Sequence, residues 1–403
     1  MERKPGRRNG ARITCGLTTR SATKSPRFRQ IPGSPRHRQS ESSPSAAVTE
    51  WLHPLNAVPF HQRVNVLILG GTGLISTGIV KALKTRGASI TVFNRGQTDD
   101  RLPPDIRRLT GDRQNFPAFE SAMADAGPWD VVIDMICFRP EEAESAIRAF
   151  AGRCGHFIFC STVCTYGNTQ TILPTPEETP QSPHSRYGRD KLACEQLFLR
   201  AHAGAKIPVT IIRPSHTYGP GGGIINNVNT DPTFLERLRR GHPIVVSGDG
   251  HGLWQSAYAD DVGRAFAFAA ANPRCFGEAY NAVADEAVTW DEYILRTATA
   301  LGAPAPRLVH LPTDFLLAVD PKRYATLAEI FRFHGVYSNA KLKRDVPEFR
   351  LTTPFEEGVR RTVAWIDRHG KNPAPAAVTL EDQLVAAWDR FVLESVRTFA
   401  PQK

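Results

Sequence analysis

The sequence predicts a doubly wound α/β fold, an open parallel sheet with helices on both faces and a smaller C-terminal lobe interleaved with it. Three observations predict it. The run Val64-Asn65-Val66-Leu67-Ile68-Leu69 is nearly continuously apolar, as suits a parallel strand buried on both faces. A glycine turn, Gly70-Gly71-Thr72-Gly73, follows it directly. From there strand-like and helix-like segments alternate as far as Arg213.

The elements follow in order. A helix is expected over Gly73–Arg86, then strands over Ser89–Asn94, Ile106–Thr110, Val131–Asp134, His156–Cys160 and Val209–Arg213. Helices fill the gaps, with Pro140–Ala151 and Tyr187–Ala203 the clearest. Beyond Pro214 the alternation breaks down into the Pro/Gly-rich Gly219–Gly223, a helix near Phe234–Arg240, a strand Ile244–Val246 and further short elements to about Arg350. Val378–Phe399 has apolar residues at helical spacing and reads as an added helix that packs on the body or on another subunit. The expected organisation is a basic tail over 1–60, a dinucleotide-binding domain over 61–215, a substrate-binding lobe over 216–370 and a helical extension over 371–403.

Two motifs carry the chemistry. The glycine turn between a buried strand and a helix lets backbone amides approach a pyrophosphate at the positive end of the helix dipole. The second motif, Tyr187-Gly188-Arg189-Asp190-Lys191, puts a phenol and an ammonium one helical turn apart on a single face. An ammonium there is expected to lower the phenol's pKa and make it a usable acid and base near neutral pH.

On these residues the chain resembles the extended short-chain dehydrogenases/reductases, the superfamily of the nucleotide-sugar epimerases and dehydratases, from about Val64 to about Gly370. Ser76 stands where the third glycine would be. The resemblance implies a Rossmann fold with Gly70, Thr72, Gly73, Leu74 and Ile75 around the coenzyme. Asn94 and Arg95 stand at the coenzyme-selecting end of the second strand, Asp112 near the adenine and Pro214 at the last strand of the half. It also implies that Tyr187 is the acid and base and that Lys191 holds the ribose. The segment His156–Gly167 matches the family's fifth strand ending in Tyr-Gly, which makes Thr162 the catalytic hydroxyl and Ser161 its neighbour at the substrate. Sugar dehydratases follow this Thr with carboxylic residues. Here Val163 and Cys164 follow, so elimination lacks its acid and base.

Coenzyme choice leans to NADP over NAD, because Arg95 can pair with a 2′-phosphate that an Asp or Glu would repel. The expected substrate is a small, sugar-like secondary alcohol. His216 stands where nucleotide-sugar enzymes usually have an Asn, and Trp254 where an Arg commonly clamps the diphosphate. Arg237 or Lys341 would have to hold the phosphates if the substrate were nucleotide-linked. Tyr258-Ala259-Asp260-Asp261-Val262 matches a family segment whose acidic residue caps the next helix. The leading reading is an NAD(P)-dependent oxidoreductase or epimerase; the alternatives are a nucleotide-sugar 4-epimerase and an RNA-binding protein. The last rests on relatives that share the Gly-Gly-Thr turn and Phe93-Asn94-Arg95-Gly96 and bind plastid RNA.

Charge bears on that rival. The formal net charge is +10, and residues 1–50 carry +8 of it, so the body is nearly neutral and nucleic acid is not the expected partner. The tail is Arg-, Ser- and Pro-rich and reads as disordered, with an organelle transit peptide as the alternative to a cytoplasmic protein. No apolar stretch reaches the length of a membrane span. The expected partners are therefore the small molecule and, through the added helix, a second copy in a homodimer. The seven cysteines, Cys15, Cys137, Cys154, Cys160, Cys164, Cys194 and Cys275, form no CxxC pair and have no His at metal-ligand spacing, so they are expected reduced and no metal site is expected.

Overall fold

The computed structural model describes residues 64–97, 102–168, 171–231, 233–370 and 379–401. The basic tail over 1–60 and Cys15 lie outside the described residues. Strands Asn65–Leu69 (β1), Ser89–Asn94 (β2), Arg107–Thr110 (β3), Trp129–Asp134 (β4), Cys154–Cys160 (β5) and Val209–Pro214 (β6) alternate with helices Leu74–Thr85 (α1), Phe116–Ala126 (α2), Pro140–Phe150 (α3) and Arg186–Ala203 (α4). They run parallel, with Val66 opposite Ile90 on one side and Val131 on the other.

The continuous apolar run of β1 is explained by its two covered faces. Val66 and Ile68 pack in the cluster that holds α1, while Leu67 and Leu69 pack in the one that holds α2, α3 and α4. All four are fully buried.

The second half consists of Phe234–Arg239 (α5), Ala259–Ala269 (α6), Trp290–Leu301 (α7), Thr313–Val319 (α8), Ala340–Asp345 (α9), Phe355–Arg368 (α10) and Leu380–Phe399 (α11). Its strands are His216–Tyr218 (β7), Ile244–Ser247 (β8), Leu253–Trp254 (β9), Ser256–Tyr258 (β10), Ala279–Ala282 (β11), Val288–Thr289 (β12) and Leu308–Leu311 (β13). The central sheet has seven strands in the order β11-β6-β5-β4-β1-β2-β3. Strand order reverses between β1 and β4, and the carboxyl ends there are where open α/β sheets bind ligands.

Two features refine the sequence reading. Residues assigned to the lobe return to the sheet: β11 adds its seventh strand beside β6, and α6 packs on α1. That packing is close because Gly78 faces Gly263; a Cβ on Gly78 would lie 2.5 Å from the Ala259 carbonyl oxygen. The lobe also contains the twelve-residue α7, where only short elements were expected.

The capping expectation at Tyr258–Val262 is corrected. Tyr258 is the N-cap of α6 and makes no side-chain cap bond. Asp260 instead pairs with Lys81 at 2.5 Å, and buried Asp261 accepts from the amides of Thr352 (3.0 Å) and Thr353 (3.2 Å), fastening the chain before α10. The added helix packs its first turns on the body: Glu381, Leu384 and Val385 are buried, and Arg237 pairs with Glu381 (2.8 Å) and Asp382 (2.9 Å).

Candidate active site

The turn after β1 has the shape a pyrophosphate requires. Gly70 and Gly71 have φ of +106° and +87°, and a Cβ on Gly71 would strike Val92. Gly73 starts α1 with no side-chain cap bond and no acidic residue in the first turn, so the first amides stay available and the helix dipole is unopposed. Gly73 is exposed and Thr72, Leu74 and Ile75 are half-buried, which leaves the turn open on one side. Ser76, at the third glycine's place, is buried.

At the end of β2 the two candidates differ. Asn94 is used internally: its amide donates to the Gly70 carbonyl (3.0 Å) and its carbonyl oxygen accepts from the Gly96 amide (2.8 Å). Arg95 is exposed beside it. Asp112 is exposed and accepts from the Gln114 amide at 2.9 Å, forming a turn ahead of α2. Pro214 closes β6, opposite Ala282 of β11. These residues fit a dinucleotide laid across the carboxyl ends of the sheet.

Thr162, Tyr187 and Lys191 come together from two places in the chain, the segment after β5 and the first turns of α4. Thr162 lies two residues after β5 in extended conformation and accepts from the Cys164 amide at 3.2 Å, which leaves its own O–H free to donate. Ser185 caps α4 through the Gly188 amide (3.0 Å) and so sets Tyr187 in the first turn. Gly188 allows the approach, since a Cβ there would lie 2.6 Å from the Cys164 carbonyl oxygen. The Thr162 hydroxyl lies close enough to the Tyr187 phenol to favour its ionised form. Lys191 is buried, and its ammonium donates to the carbonyls of Cys137 and Cys160, 2.7 Å each, from 5.9 Å over the Tyr187 ring.

The expected depression of the Tyr187 pKa is not what this arrangement produces. Although Tyr187 is 44 % exposed, the pKa of its phenol is raised. Burial is the main cause, the Cys160 and Cys164 thiols add to it, and the Thr162 hydroxyl opposes it. Lys191 spends two of its three donors on carbonyls.

Ser161 also differs from expectation. It is buried and donates to the Glu195 carboxylate rather than facing a substrate. Glu195 is held in turn by Arg213, whose Nε and Nη2 donate to it at 2.9 and 2.7 Å. Arg213 Nη1 reaches the Tyr166 hydroxyl at 2.7 Å. This buried fork fixes the strand end that carries Thr162.

On the substrate side, His216 is half-buried and shares a hydrogen bond with Ser256 at 2.8 Å. Burial lowers its pKa to about 4, so the imidazole is neutral at pH 7. Trp254, whose indole face would suit the apolar face of a sugar, is instead a packed residue. It is 7 % exposed, stacked on Trp290 at 4.7 Å and edge-on to Phe331 at 5.3 Å, with Gly335 against its ring. The two other candidate phosphate holders are occupied. Arg237 is buried against Glu381 and Asp382, and Lys341 pairs with Glu278 at 2.8 Å.

Sequence reasoning did not single out Phe138, Tyr337 or Glu329. Phe138 is exposed beside the Lys191 ammonium, 4.7 Å from its ring centre, and Tyr337 stacks on Tyr166 at 5.7 Å. Glu329 lies in the π-helical turn Leu327–Phe331, whose Glu329 carbonyl accepts from Asn168 at 2.9 Å. No local pattern marks these residues, because the fold brings them to the site from distant segments. Among the described residues no cluster of His, Cys, Asp and Glu could hold a metal, the six described cysteines are free thiols, and no helix is long and apolar enough to cross a membrane.

Comparison with known proteins places this geometry. Residues 66–282 match the model of the NAD dependent epimerase/dehydratase family. The 2'-dehydrokanamycin reductase of Streptomyces kanamyceticus is 29 % identical over 317 residues, 78 % of this chain and 87 % of that one. The chloroplast stem-loop binding protein of 41 kDa b of Arabidopsis thaliana is 30 % identical over 264 residues, 62 % of this chain and 67 % of that one. Among solved structures, the Thermus thermophilus UDP-glucose 4-epimerase in complex with NAD shares the fold with a TM-score of 0.58 and 22 % identity, over 75 % of this chain and 99 % of that one.

Proposed function

The chain belongs to the NAD-dependent epimerase/dehydratase family, and within it we propose an NADP-preferring oxidoreductase that interconverts a ketone and a secondary alcohol on a sugar not carried by a nucleotide diphosphate. It is an enzyme of the extended short-chain dehydrogenase type. The observation that carries the finer reading is the missing diphosphate clamp. The position where an Arg commonly sits is closed into aromatic packing by Trp254, His216 is neutral, and Arg237 and Lys341 are bound to carboxylates elsewhere. A pyrophosphate entering there would lose its water without gaining cationic partners. The similarity to a 2'-dehydrokanamycin reductase supports the same reading, since by its name that enzyme reduces a ketone on a glycoside without a nucleotide.

The residues then take these roles. The turn of Gly70 and Thr72 brings the diphosphate of the coenzyme to the amides of Gly73, Leu74 and Ile75, Arg95 pairs with the 2′-phosphate, Asp112 meets the adenine and Pro214 borders the nicotinamide. The third donor of Lys191 holds the ribose. When bound, the nicotinamide supplies or accepts the hydride. Tyr187 transfers the proton at the substrate oxygen, and the Thr162 hydroxyl donates to that oxygen as charge develops on it. A phenol whose pKa is raised keeps its proton at pH 7, and the protonated form is the one that reduction consumes. His216 contacts the sugar hydroxyls as a neutral group.

The test is a screen of NADPH and NADH oxidation with free keto sugars against nucleotide-linked sugars, paired with Tyr187→Phe. The wild type should prefer NADPH and a free keto sugar, and the Phe variant should keep coenzyme binding while losing turnover by about 10²–10⁴. Micromolar binding of UDP or dTDP, with conversion of their sugars, would transfer the assignment to a nucleotide-sugar 4-epimerase. RNA binding is the second reading, favoured by the similarity to the chloroplast stem-loop binding protein. A gel shift with structured RNA, unaffected by Tyr187→Phe in a protein that turns nothing over, would select it. The proposal places the enzyme in the cytoplasm. Import of a residues 1–60 fusion into isolated chloroplasts would instead make that tail a transit peptide.

A further inference from the structure

Helix α11 carries one apolar stripe along its whole length, and the body covers only the first half of it. Glu381, Leu384 and Val385 are buried on the body. Three- and four-residue spacing carries the same face on through Trp388, Phe391, Val392, Val396 and Phe399. Trp388 is half-buried, its ring 6.4 Å from that of Phe315 on α8, and Asp389 pairs with Arg307 at 2.8 Å. From Asp389 to the end of the helix every residue is exposed except the half-buried Ser395.

The uncovered surface is large and concentrated in one place. Of the twelve exposed large hydrophobic side chains among the described residues, seven lie on α11 or on α8 at its foot, where Phe315 and Val319 sit four apart. Phe315, Phe391 and Phe399 are 41, 58 and 82 % exposed. At roughly 200 Å² for a whole Phe side chain, these rings and the valines beside them expose on the order of 500–600 Å² of apolar surface per molecule. That is the upper end of what a monomer leaves in water, and most of the roughly 800 Å² that each partner commits to a stable interface. The geometry of the patch fits a second copy of itself. Its exposed half begins at an apolar foot, Trp388 with Phe315, and ends about 17 Å away at an apolar tip, Phe399. A second α11 running antiparallel lays its tip on the foot of the first and receives the first tip on its own foot, so one twofold contact covers both patches. A parallel pair leaves both feet bare. Charge does not oppose the pairing: Arg390, Glu394 and Arg397 turn away from the stripe by helical spacing, and Asp389 at its edge is held by Arg307.

We propose that α11 is a dimerisation arm that pairs antiparallel with α11 of a second copy of this chain, about a twofold axis between Val392 and Ser395. Phe399 of each copy seats against Trp388 and Phe315 of the other. The arm stands on the lobe through the buried Arg237–Glu381 and Arg237–Asp382 pairs, so the contact joins two lobes and leaves the carboxyl ends of both sheets open to coenzyme.

The experiment is sedimentation equilibrium of the full-length protein, comparing the wild type with Phe391→Gln, Phe399→Gln and, as a control on α7, the exposed Leu295→Gln. The wild type should be a dimer. Each Phe variant should raise the dimer dissociation constant about thirtyfold or more, the scale of losing an interface aromatic, while helicity and melting of the monomer stay as they were. Leu295→Gln should change nothing. A larger assembly that both Phe variants reduce to half its size supports the pairing equally. Orientation is read by mild oxidation: Val392→Cys, beside the axis, should give a disulfide-linked dimer, and Arg390→Cys, on the far side of the helix, should not. A monomeric wild type, an oligomer indifferent to both Phe variants, an equal effect of Leu295→Gln, or equal cross-linking through Arg390→Cys would overturn the proposal. A monomer that dimerises only after removal of residues 1–60 would overturn it too, and assign the stripe to that segment.

Discussion

Lys191 is anchored to the backbone of Cys160: its ammonium donates to that carbonyl at 2.7 Å, and to the Cys137 carbonyl at the same distance. These carbonyls belong to the end of β5 and to the loop after β4, so the lysine of α4 ties together the two strand ends beside which the coenzyme lies. The rings of Phe138 and Phe159, at 4.7 and 4.8 Å, enclose it. The residue therefore holds the site's frame as well as its chemistry.

Replacing Lys191 with Ala removes the donor to two buried carbonyls, and each unpaired buried group costs about 1–3 kcal/mol. The variant should melt at lower temperature and also bind coenzyme more weakly. Unfolding in urea and coenzyme titration check the two effects. Unchanged stability would mean that the carbonyl contacts carry no weight.

Arg95 is exposed at the end of β2, free of the internal bonds that occupy Asn94. Arg95→Ala should weaken NADP by about 1.5–3 kcal/mol and leave NAD nearly unchanged, since only NADP offers a phosphate to the guanidinium. Fluorescence titration with both coenzymes measures it, and equal losses would reduce Arg95 to a residue that covers the adenine.

Trp254 lies in aromatic packing with Trp290 and Phe331, so an Arg cannot simply be restored there. Trp254→Arg should destabilise the lobe by about 3–5 kcal/mol, by burying a charge without a carboxylate and losing ring contacts, and should not create UDP binding. A stable variant that gains UDP affinity would show that the position opens onto the cleft.

His156 is buried beside Phe276, with Thr210 on Nε2 at 2.8 Å and the Ala271 amide on Nδ1 at 3.2 Å. Burial, with His202 as a lesser cause, pushes its pKa down to about 3. An unfolded imidazole titrates near about 6.5, so between these values the unfolded chain binds a proton that the folded one refuses. Stability is full above about pH 6.5 and falls as the pH drops toward 3, by on the order of 3–5 kcal/mol from this group. Urea unfolding of wild type and His156→Gln at pH 7 and pH 4.5 checks the sign: the variant should lose less on acidification, and an equal loss would place the acid sensitivity in other groups.

The dinucleotide half was legible because its signals are local. A strand buried on both faces, a turn that requires positive φ and a helix cap are each written within about ten residues, and β1, α1, β5 and α4 lie within a few residues of where they were expected. The return of β11 to the sheet and the length of α7 were not legible, since short apolar segments of a lobe do not reveal which neighbour will cover them. The same limit applied to single side chains. Ser161 follows the right pattern for a substrate contact, yet Glu195, 34 residues on, claims its hydroxyl.

The sequence by itself determined the coenzyme-binding turn and the placing of a phenol and an ammonium on one helix face, because local geometry and helical spacing suffice for those; the Thr162 hydroxyl was expected beside them only through the family resemblance. The tertiary structure alone decided which charges remain for a substrate. Arg237 is spent on Asp382, 145 residues away. Whether a charge is free depends on partners that only the packed chain supplies, and burial decides in the same way that His216 is neutral and Trp254 closed.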